Sequence, residues 1–136
     1  MRALIVFVVV GASAALLAQT PQNLPGSGLP PLDPRIDKWD RGPDKIDVSK
    51  YPPEVKQKYK VFADLCGQCH PLARAVNCDF VLDEDWERYI KRMMRRGKGL
   101  VTPETARQSY EFAIYDSKIR KKDLYEQRLK DQAAKP

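Results

Sequence analysis

Two cysteines and the only histidine of this 136-residue chain stand within one short segment, Cys66-Gly-Gln-Cys69-His70. The chain has three cysteines in all, so this segment contains most of its thiols and its single imidazole. A chain of this length is expected to form one small domain, whose core must accommodate whatever these side chains bind. The C-x-x-C-H segment therefore constrains the fold more than any other feature of the sequence.

C-x-x-C-H is the attachment pattern of c-type haem. In that chemistry the two thiols add to the two vinyl groups of the porphyrin, and a short helical turn brings both sulfurs to one edge of the ring. The imidazole of the next residue then lies under the iron as its proximal ligand. The sequence therefore predicts one haem c bound through Cys66 and Cys69, with His70 as the proximal iron ligand.

Two other uses of these residues remain open at this point. Cys66 and Cys69 can form a disulfide or a thioredoxin-like redox pair, although the latter needs a βαβ context and no strand pattern is visible. With His70 and Cys78 they would also make a Cys₃His zinc site, but zinc ligands usually come as two separated pairs. Cys78 has no place in the haem pattern and is expected to be a small buried residue or to pair between chains.

The N-terminus has the pattern of a secretory signal. One arginine precedes an apolar run from Ala3 to Val10, and small residues follow, with candidate cleavage points after Ala14 and Ala18. The run from Ala3 to Ala18 is shorter than the ~18–20 residues of a comfortable membrane span. We expect residues 1–18 to be a cleaved signal peptide and the protein to be periplasmic or otherwise exported. The alternative is an uncleaved membrane anchor; after cleavage no stable membrane insertion is expected.

The rest of the chain divides by composition. Residues 19–52 are rich in proline and predict an arm or linker, which either docks on the domain through its apolar residues or stays disordered. Residues 53–116 carry three helical patterns and predict the haem domain, and residues 117–136 predict a charged, solvated helical tail. The predicted class is therefore all-α, a small domain of three or more helices around one haem.

Start signals mark the three predicted helices. The first begins at Pro53 and runs into the haem motif, and a loop is predicted over residues 71–82. Asp83 is the expected N-cap of the second helix, and Thr102 caps the third, with Pro103 in its first position. Apolar residues share one face of each helix: Val55, Tyr59, Phe62 and Cys66; Trp86, Ile90 and Met93; Ala106, Tyr110, Ala113 and Ile114, with Phe112 flanking.

The sixth ligand of the iron is expected to be a methionine. A second histidine ligand is excluded because the chain has one histidine, and Met1 leaves with the signal, so Met93 and Met94 are the candidates. Met93 is preferred because it shares a helix face with Trp86, whereas a methionine on an apolar face can also be simple core filling. An open or lysine-bound sixth position stays as the alternative.

The chain resembles class I c-type cytochromes on these residues. Phe62 precedes Cys66 by four, as an aromatic residue often does in the first helix of that family. The stretch WERYIKRMMRRGKGLVTPETARQSYEFAIYDS is similar to bacterial monohaem cytochromes in which a W-x-x-Y-I-x-R-M helix follows C-x-x-C-H. The resemblance covers residues 55–116 and implies a small cytochrome c-like domain of three or more helices around one covalently bound haem, with Met93 as the distal ligand. It departs at Lys58, where many members carry glycine, and in lacking the usual Met-Pro loop.

An iron held by His and Met has no open position and changes oxidation state with little rearrangement. The expected function is one-electron transfer in the periplasm rather than catalysis. The alternative is a five-coordinate c-type haem protein that binds a gas or performs peroxidase-like chemistry.

The charge of the chain suggests a class of partner. The formal net charge is +6 and falls to +5 when Arg2 leaves with the signal. Basic residues around Met93 are expected to steer acidic redox partners, such as a dehydrogenase, an oxidase or another cytochrome, and nucleic acid is not an expected partner. These basic residues are Arg88, Lys91, Arg92, Arg95, Arg96 and Lys98.

Overall fold

The computed structural model describes residues 33–134, which contain six α-helices and no strand. The predicted all-α class is therefore confirmed for this part of the chain. The predicted signal peptide, residues 1–18, and the first part of the predicted arm lie outside the described residues. The helices are α1 (Pro34–Asp40), α2 (Pro53–Cys66), α3 (Leu72–Asn77), α4 (Asp83–Arg96), α5 (Pro103–Ile119) and α6 (Lys122–Ala133).

Helix α5 is central to the packing, because it contacts α2, α4 and α6, while α1 packs against α3. Its start is fixed locally by a reciprocal cap, in which each of Thr102 and Thr105 accepts the other's backbone N–H on its side-chain hydroxyl. Pro103 occupies the first turn, where its missing N–H costs nothing. The predicted starts of α2 at Pro53 and of α5 at Pro103 are confirmed.

The segment between α2 and α4 differs from the prediction. Part of the predicted loop over residues 71–82 is the helix α3, which buries Ala73, Ala75 and Val76. Six residues without a side-chain cap are too few to give a clear helical period, which explains why the sequence did not reveal it. Asp83 was also predicted as the N-cap of the following helix; Leu82 takes that position, and Asp83 opens the first turn, where acids favour the helix dipole.

Aromatic side chains form the centre of the core. Phe62 of α2 lies 5.0 Å from Phe112 of α5 and 6.2 Å from Trp86 of α4, measured between ring centroids. Trp86 also contacts Phe80 and Tyr89 edge-on, and its indole N–H donates to Ser117 Oγ at 3.0 Å. Such pairs bury large apolar surfaces in defined orientations, so this cluster sets how α2, α4 and α5 face one another.

The described part of the Pro-rich segment packs against the domain. Trp39 of α1 and Ile46 are buried in the same core as the longer helices. The Asn77 side-chain amide fixes the turn after α1, because it donates to the carbonyl oxygens of Trp39 and Pro43 at 3.1 and 2.9 Å. Gly42 lies against that amide, and a Cβ at this position would come within 2.5 Å of Asn77 Cγ. A glycine is therefore required for this close approach.

A buried carboxylate joins the end of α5 to two other parts of the fold. Asp116 is 3% exposed and accepts hydrogen bonds from the Tyr51 hydroxyl at 3.0 Å and from the Arg120 guanidinium at 2.6 to 3.1 Å. The same guanidinium donates to the Val76 carbonyl oxygen of α3 at 3.0 Å. The carboxylate is thus paired and hydrogen-bonded, the condition under which burial of a charge is tolerated.

The C-terminal part remains helical but contributes little to the core. Helix α5 continues to Ile119, beyond the boundary at residue 116 predicted for the tail, and α6 buries none of its side chains. Between residues 33 and 134, no helix combines the length and apolar character needed to cross a membrane.

Replacing Asp116 by alanine should destabilise the chain by about 2–3 kcal/mol, because the Tyr51 hydroxyl and the Arg120 guanidinium both lose their buried acceptor. Urea unfolding followed by circular dichroism measures this change. Glu126→Ala is the control, since it removes an exposed 3.7 Å pair with Lys122 and should change little. Equal unfolding midpoints for the two variants would contradict this role of Asp116.

Candidate cofactor site

The end of α2, the turn that follows it and the last turns of α4 enclose a cavity of about 290 Å³ with mostly apolar walls. The end of α2 and the turn after it contribute Cys66, Cys69 and His70 to the wall of this cavity, and α4 contributes Met93. Met94 is not among the lining residues. The structure thus brings the three residues of the motif and the preferred methionine to one cavity, although 23 positions separate His70 from Met93.

Local structure explains how the motif reaches this cavity. The apolar face of α2 points into the core through Val55 and Phe62 and ends at Cys66, where the helix stops. Gly67 is its C-cap, with its N–H bonded to the Ala63 carbonyl oxygen at 3.1 Å. The chain then turns, so Cys69 and His70 follow the helix end closely and remain beside it.

Both nitrogens of the His70 ring have a partner. Nδ1 lies 3.1 Å from the Pro71 carbonyl oxygen, which can only accept, so Nδ1 carries the proton and donates. In the neutral form of the ring, Nε2 then accepts from the Tyr89 hydroxyl at 3.2 Å. A backbone carbonyl on the far nitrogen is the usual arrangement for a metal-binding histidine, because it fixes the tautomer and leaves the other nitrogen free to coordinate.

Tyr89 therefore lies where a metal on Nε2 would be. Its ring is buried between Trp86 and Phe80, and burial raises the pKa of the phenol well above its ordinary value. The phenol keeps its proton at neutral pH and acts as a hydrogen-bond donor to His70. A metal can reach Nε2 only after the Tyr89 hydroxyl has moved away.

The three cysteines have different environments. Cys69 is exposed, Cys66 is partly buried and Cys78 is fully buried, and all three are free. Burial, with a smaller contribution from the neighbouring Cys78, raises the pKa of the Cys66 thiol to about 12. The Cys78 thiol donates to the Ala75 carbonyl oxygen at 3.3 Å, so Cys78 is the small buried residue that one of the two interpretations expected.

The zinc alternative has no geometric support. Residues 33–134 contain no group of three or more His, Cys, Asp or Glu side chains close enough to hold a metal ion. Cys66, Cys69, Cys78 and His70 all lie within that range, so the predicted Cys₃His combination is not assembled. The disulfide alternative would join Cys66 and Cys69, which are both free thiols in the structure.

Three arginines stand at the wall of the cavity. Arg74 is already neutralised, because it donates to both carboxylate oxygens of Asp40 at 2.8 and 2.5 Å, and this pairing raises its pKa. Arg92 lies over the Tyr89 ring, 5.8 Å from its centroid, and Arg96 is exposed. Neither has an acidic partner within the described part of the chain, so the cavity opens beside uncompensated positive charge.

Sequence reasoning missed several residues of this site. Arg74 and Trp39 line the cavity from segments that were predicted as loop and arm, where no helical period was visible. Ser109 lines it from α5, but a single serine on a helix face carries no distinguishing signal in a sequence. Tyr89 was noted only as part of the W-x-x-Y-I-x-R-M pattern, and its contact with His70 depends on the packing of α4 against the motif turn.

The chemistry of the cavity suits a haem. Two thiols, a histidine and a thioether are the groups that bind c-type haem, and an apolar wall suits a porphyrin face. The volume lies at the lower end of the range for small-molecule sites, so a porphyrin needs the Tyr89 side chain and the groups at the opening to shift.

Comparison with known proteins returned no match among protein-family models, curated proteins or solved structures.

In the polypeptide without cofactor, Cys69 should react with iodoacetamide at pH 8 at least about tenfold faster than Cys66, because only the thiolate reacts and the Cys66 thiol stays protonated. The rate at Cys66 should then rise about tenfold for each pH unit up to its pKa. Peptide mass mapping of a labelling time course separates the sites. In urea the two should label alike; equal rates in the folded chain would contradict the burial of Cys66.

Proposed function

We propose that this protein carries one covalently bound haem c and transfers single electrons between exported redox proteins. Cys66 and Cys69 would hold the haem through thioether bonds, and His70 and Met93 would ligate its iron. A haem ligated in this way supplies reversible one-electron oxidation and reduction of its iron.

One observation carries the proposal: the C-x-x-C-H residues and Met93 line the same apolar cavity. The motif alone is short and can occur by chance, and a methionine on a helix face is usually core filling. Their convergence on one cavity is expected if they share a cofactor. Met94, adjacent in sequence and equally half-buried, does not line the cavity, which supports Met93 over Met94 as the ligand.

The residues around His70 prepare it as a ligand. The Pro71 carbonyl oxygen holds Nδ1–H at 3.1 Å, which leaves Nε2 as the nitrogen that can bind a metal once the Tyr89 hydroxyl has moved. This hydrogen bond also restricts the rotation of the ring.

Occupation of both axial positions by protein side chains favours a carrier over an enzyme. Met93 comes from the same face of α4 as the buried Trp86, so the packing of α4 holds its position. A sixth position filled in this way leaves no site for substrate. If Met93 does not bind the iron, the function becomes the five-coordinate alternative, a haem protein for gas binding or peroxidase-like chemistry.

The charges around the cavity support an acidic redox partner. Two of the six basic residues noted in the sequence are neutralised within α4, because Arg88 pairs with Asp85 at 2.9 Å and Lys91 with Glu87 at 2.5 Å. The remaining four are called the basic rim here: Arg92 and Arg96 line the cavity, and Arg95 and Lys98 are close to them in sequence. These four side chains have no acidic partner among the described residues. A rim of one sign beside the redox centre accelerates encounter with partners of the opposite sign.

The full chain, exported by a host with haem maturation machinery, should gain the mass of one haem, and Cys66→Ala/Cys69→Ala should not. Intact mass spectrometry measures this directly. Cys78→Ala is the matched control and should retain the haem, because Cys78 is buried and does not line the cavity. Recovery of bare polypeptide from the wild-type chain would refute the proposal.

Met93→Ala should abolish the weak long-wavelength absorption band of ferric haem with a thioether ligand, and it should lower the reduction potential. Met94→Ala should retain both properties, since its side chain lies outside the cavity wall. Visible spectra of both oxidation states and potentiometric titration test the pair. Loss of the band in Met94→Ala alone would reverse the assignment, and a high-spin wild-type spectrum unaffected by either change would establish the five-coordinate alternative.

Neutralising the rim with Arg95→Gln/Lys98→Gln should slow reduction of the anionic oxidant ferricyanide about threefold at low ionic strength, and the effect should fade as salt is added. A cationic oxidant should be reduced faster by the same variant. Stopped-flow kinetics provides the rates. Lys45→Gln/Lys50→Gln removes the same charge from exposed positions before α2 and should have a smaller effect. Equal effects of the two double variants would show that net charge, not the rim, governs the rate.

A further inference from the structure

Ser109 stands out among the polar residues of the core. Its side chain is 1% exposed, and its hydroxyl is the only buried side-chain polar atom between residues 33 and 134 that has no hydrogen-bond partner. A buried hydroxyl without a partner costs stability, because its bonds to water are not replaced. Because the other buried side-chain polar atoms of the described residues have hydrogen-bond partners, this one needs a specific explanation.

Helical geometry does not require this hydroxyl to be unpaired. A serine within a helix can donate to the backbone carbonyl four residues earlier, which here belongs to Thr105. Ser109 makes no such bond in the structure. Ser117 offers a comparison on the same helix: it is also fully buried, and its oxygen accepts the indole N–H of Trp86 at 3.0 Å.

The position of Ser109 suggests its missing partner. Ser109 lines the cavity that contains His70 and Met93, and α5 packs directly against α4, the helix that carries Met93. His70, the imidazole of the same cavity, already bonds Pro71 and Tyr89, whereas the Ser109 hydroxyl has no partner. The Ser109 hydroxyl is therefore a donor that remains available to an acceptor inside the cavity.

We propose that Ser109 donates a hydrogen bond to the sulfur of Met93 when that thioether ligates the iron. This inference rests on the function proposed above. Ser109 is then a positioning residue: it orients the Met93 side chain through its sulfur without contacting the iron. A hydrogen bond to the sulfur withdraws electron density from the ligand, which favours the reduced state and raises the reduction potential.

The test compares Ser109→Ala with Ser117→Ala in the full haem-loaded chain. Ser109→Ala should lower the reduction potential and shift or weaken the thioether band of the ferric spectrum. Ser109→Thr keeps a hydroxyl donor and should restore both properties toward those of the wild type. Ser117→Ala removes the same atom from the same helix, away from the cavity wall, and should leave the potential and the band close to wild type.

Stability provides a second and independent comparison. Ser117→Ala leaves the buried Trp86 N–H without an acceptor and should lower the urea midpoint of the full polypeptide, while Ser109→Ala removes an unpaired hydroxyl and should leave that midpoint equal or higher. A fall in the Ser109→Ala midpoint as large as that of Ser117→Ala would mean that the hydroxyl serves the fold, which overturns the inference.

The outcomes separate this inference from the proposed function. A wild-type protein with haem and a thioether band, whose potential and band do not change in Ser109→Ala, overturns only the role of Ser109. Equal potential shifts in Ser109→Ala and Ser117→Ala also overturn it. A wild-type protein without haem, or without the band, overturns the proposed function first.

Discussion

The packing of Trp86 is the constraint on which the rest of this fold depends. Its ring contacts Phe62 of α2, and its indole N–H donates to Ser117 of α5, so one side chain at the first turn of α4 touches both other long helices. The edge-on contacts of the Trp86 ring with Phe62, Phe80 and Tyr89 fix the rotation of α4 about its axis. Two turns later the same face carries Met93, which for this reason lies opposite the end of α2 and the cysteine pair.

The parts of the fold that the sequence predicted are those with local chemical causes. Prolines in the first turn and a hydroxyl cap determine where α2 and α5 begin, and their signals lie within four residues of the boundary. Helices α1 and α3 are only seven and six residues long, so their apolar residues do not repeat often enough to be recognised. They are stabilised by tertiary contacts, such as the burial of Trp39 and the amide of Asn77, which no short segment reveals.

The residues of the candidate site also differ in whether the sequence could predict them. Cys66, Cys69 and His70 could be predicted as site residues because their spacing matches the C-x-x-C-H pattern, and elimination and helix periodicity pointed to Met93, which lines the same cavity. The sequence could not predict the contact between Tyr89 and His70 or the unpaired hydroxyl of Ser109. Each depends on how a helix packs against another part of the chain. Periodicity predicts which side of a helix is buried but does not identify its partner atoms.

The close approach of Gly42 to Asn77 links two distant positions of the chain. Any side chain at position 42 would collide with an amide that three backbone carbonyl oxygens hold in place, those of Trp39, Pro43 and Ala73. A smaller residue at position 77 would make room but would leave the turn after α1 without its donor. Neither position can change alone without cost, so a substitution at one of them requires a compensating change at the other.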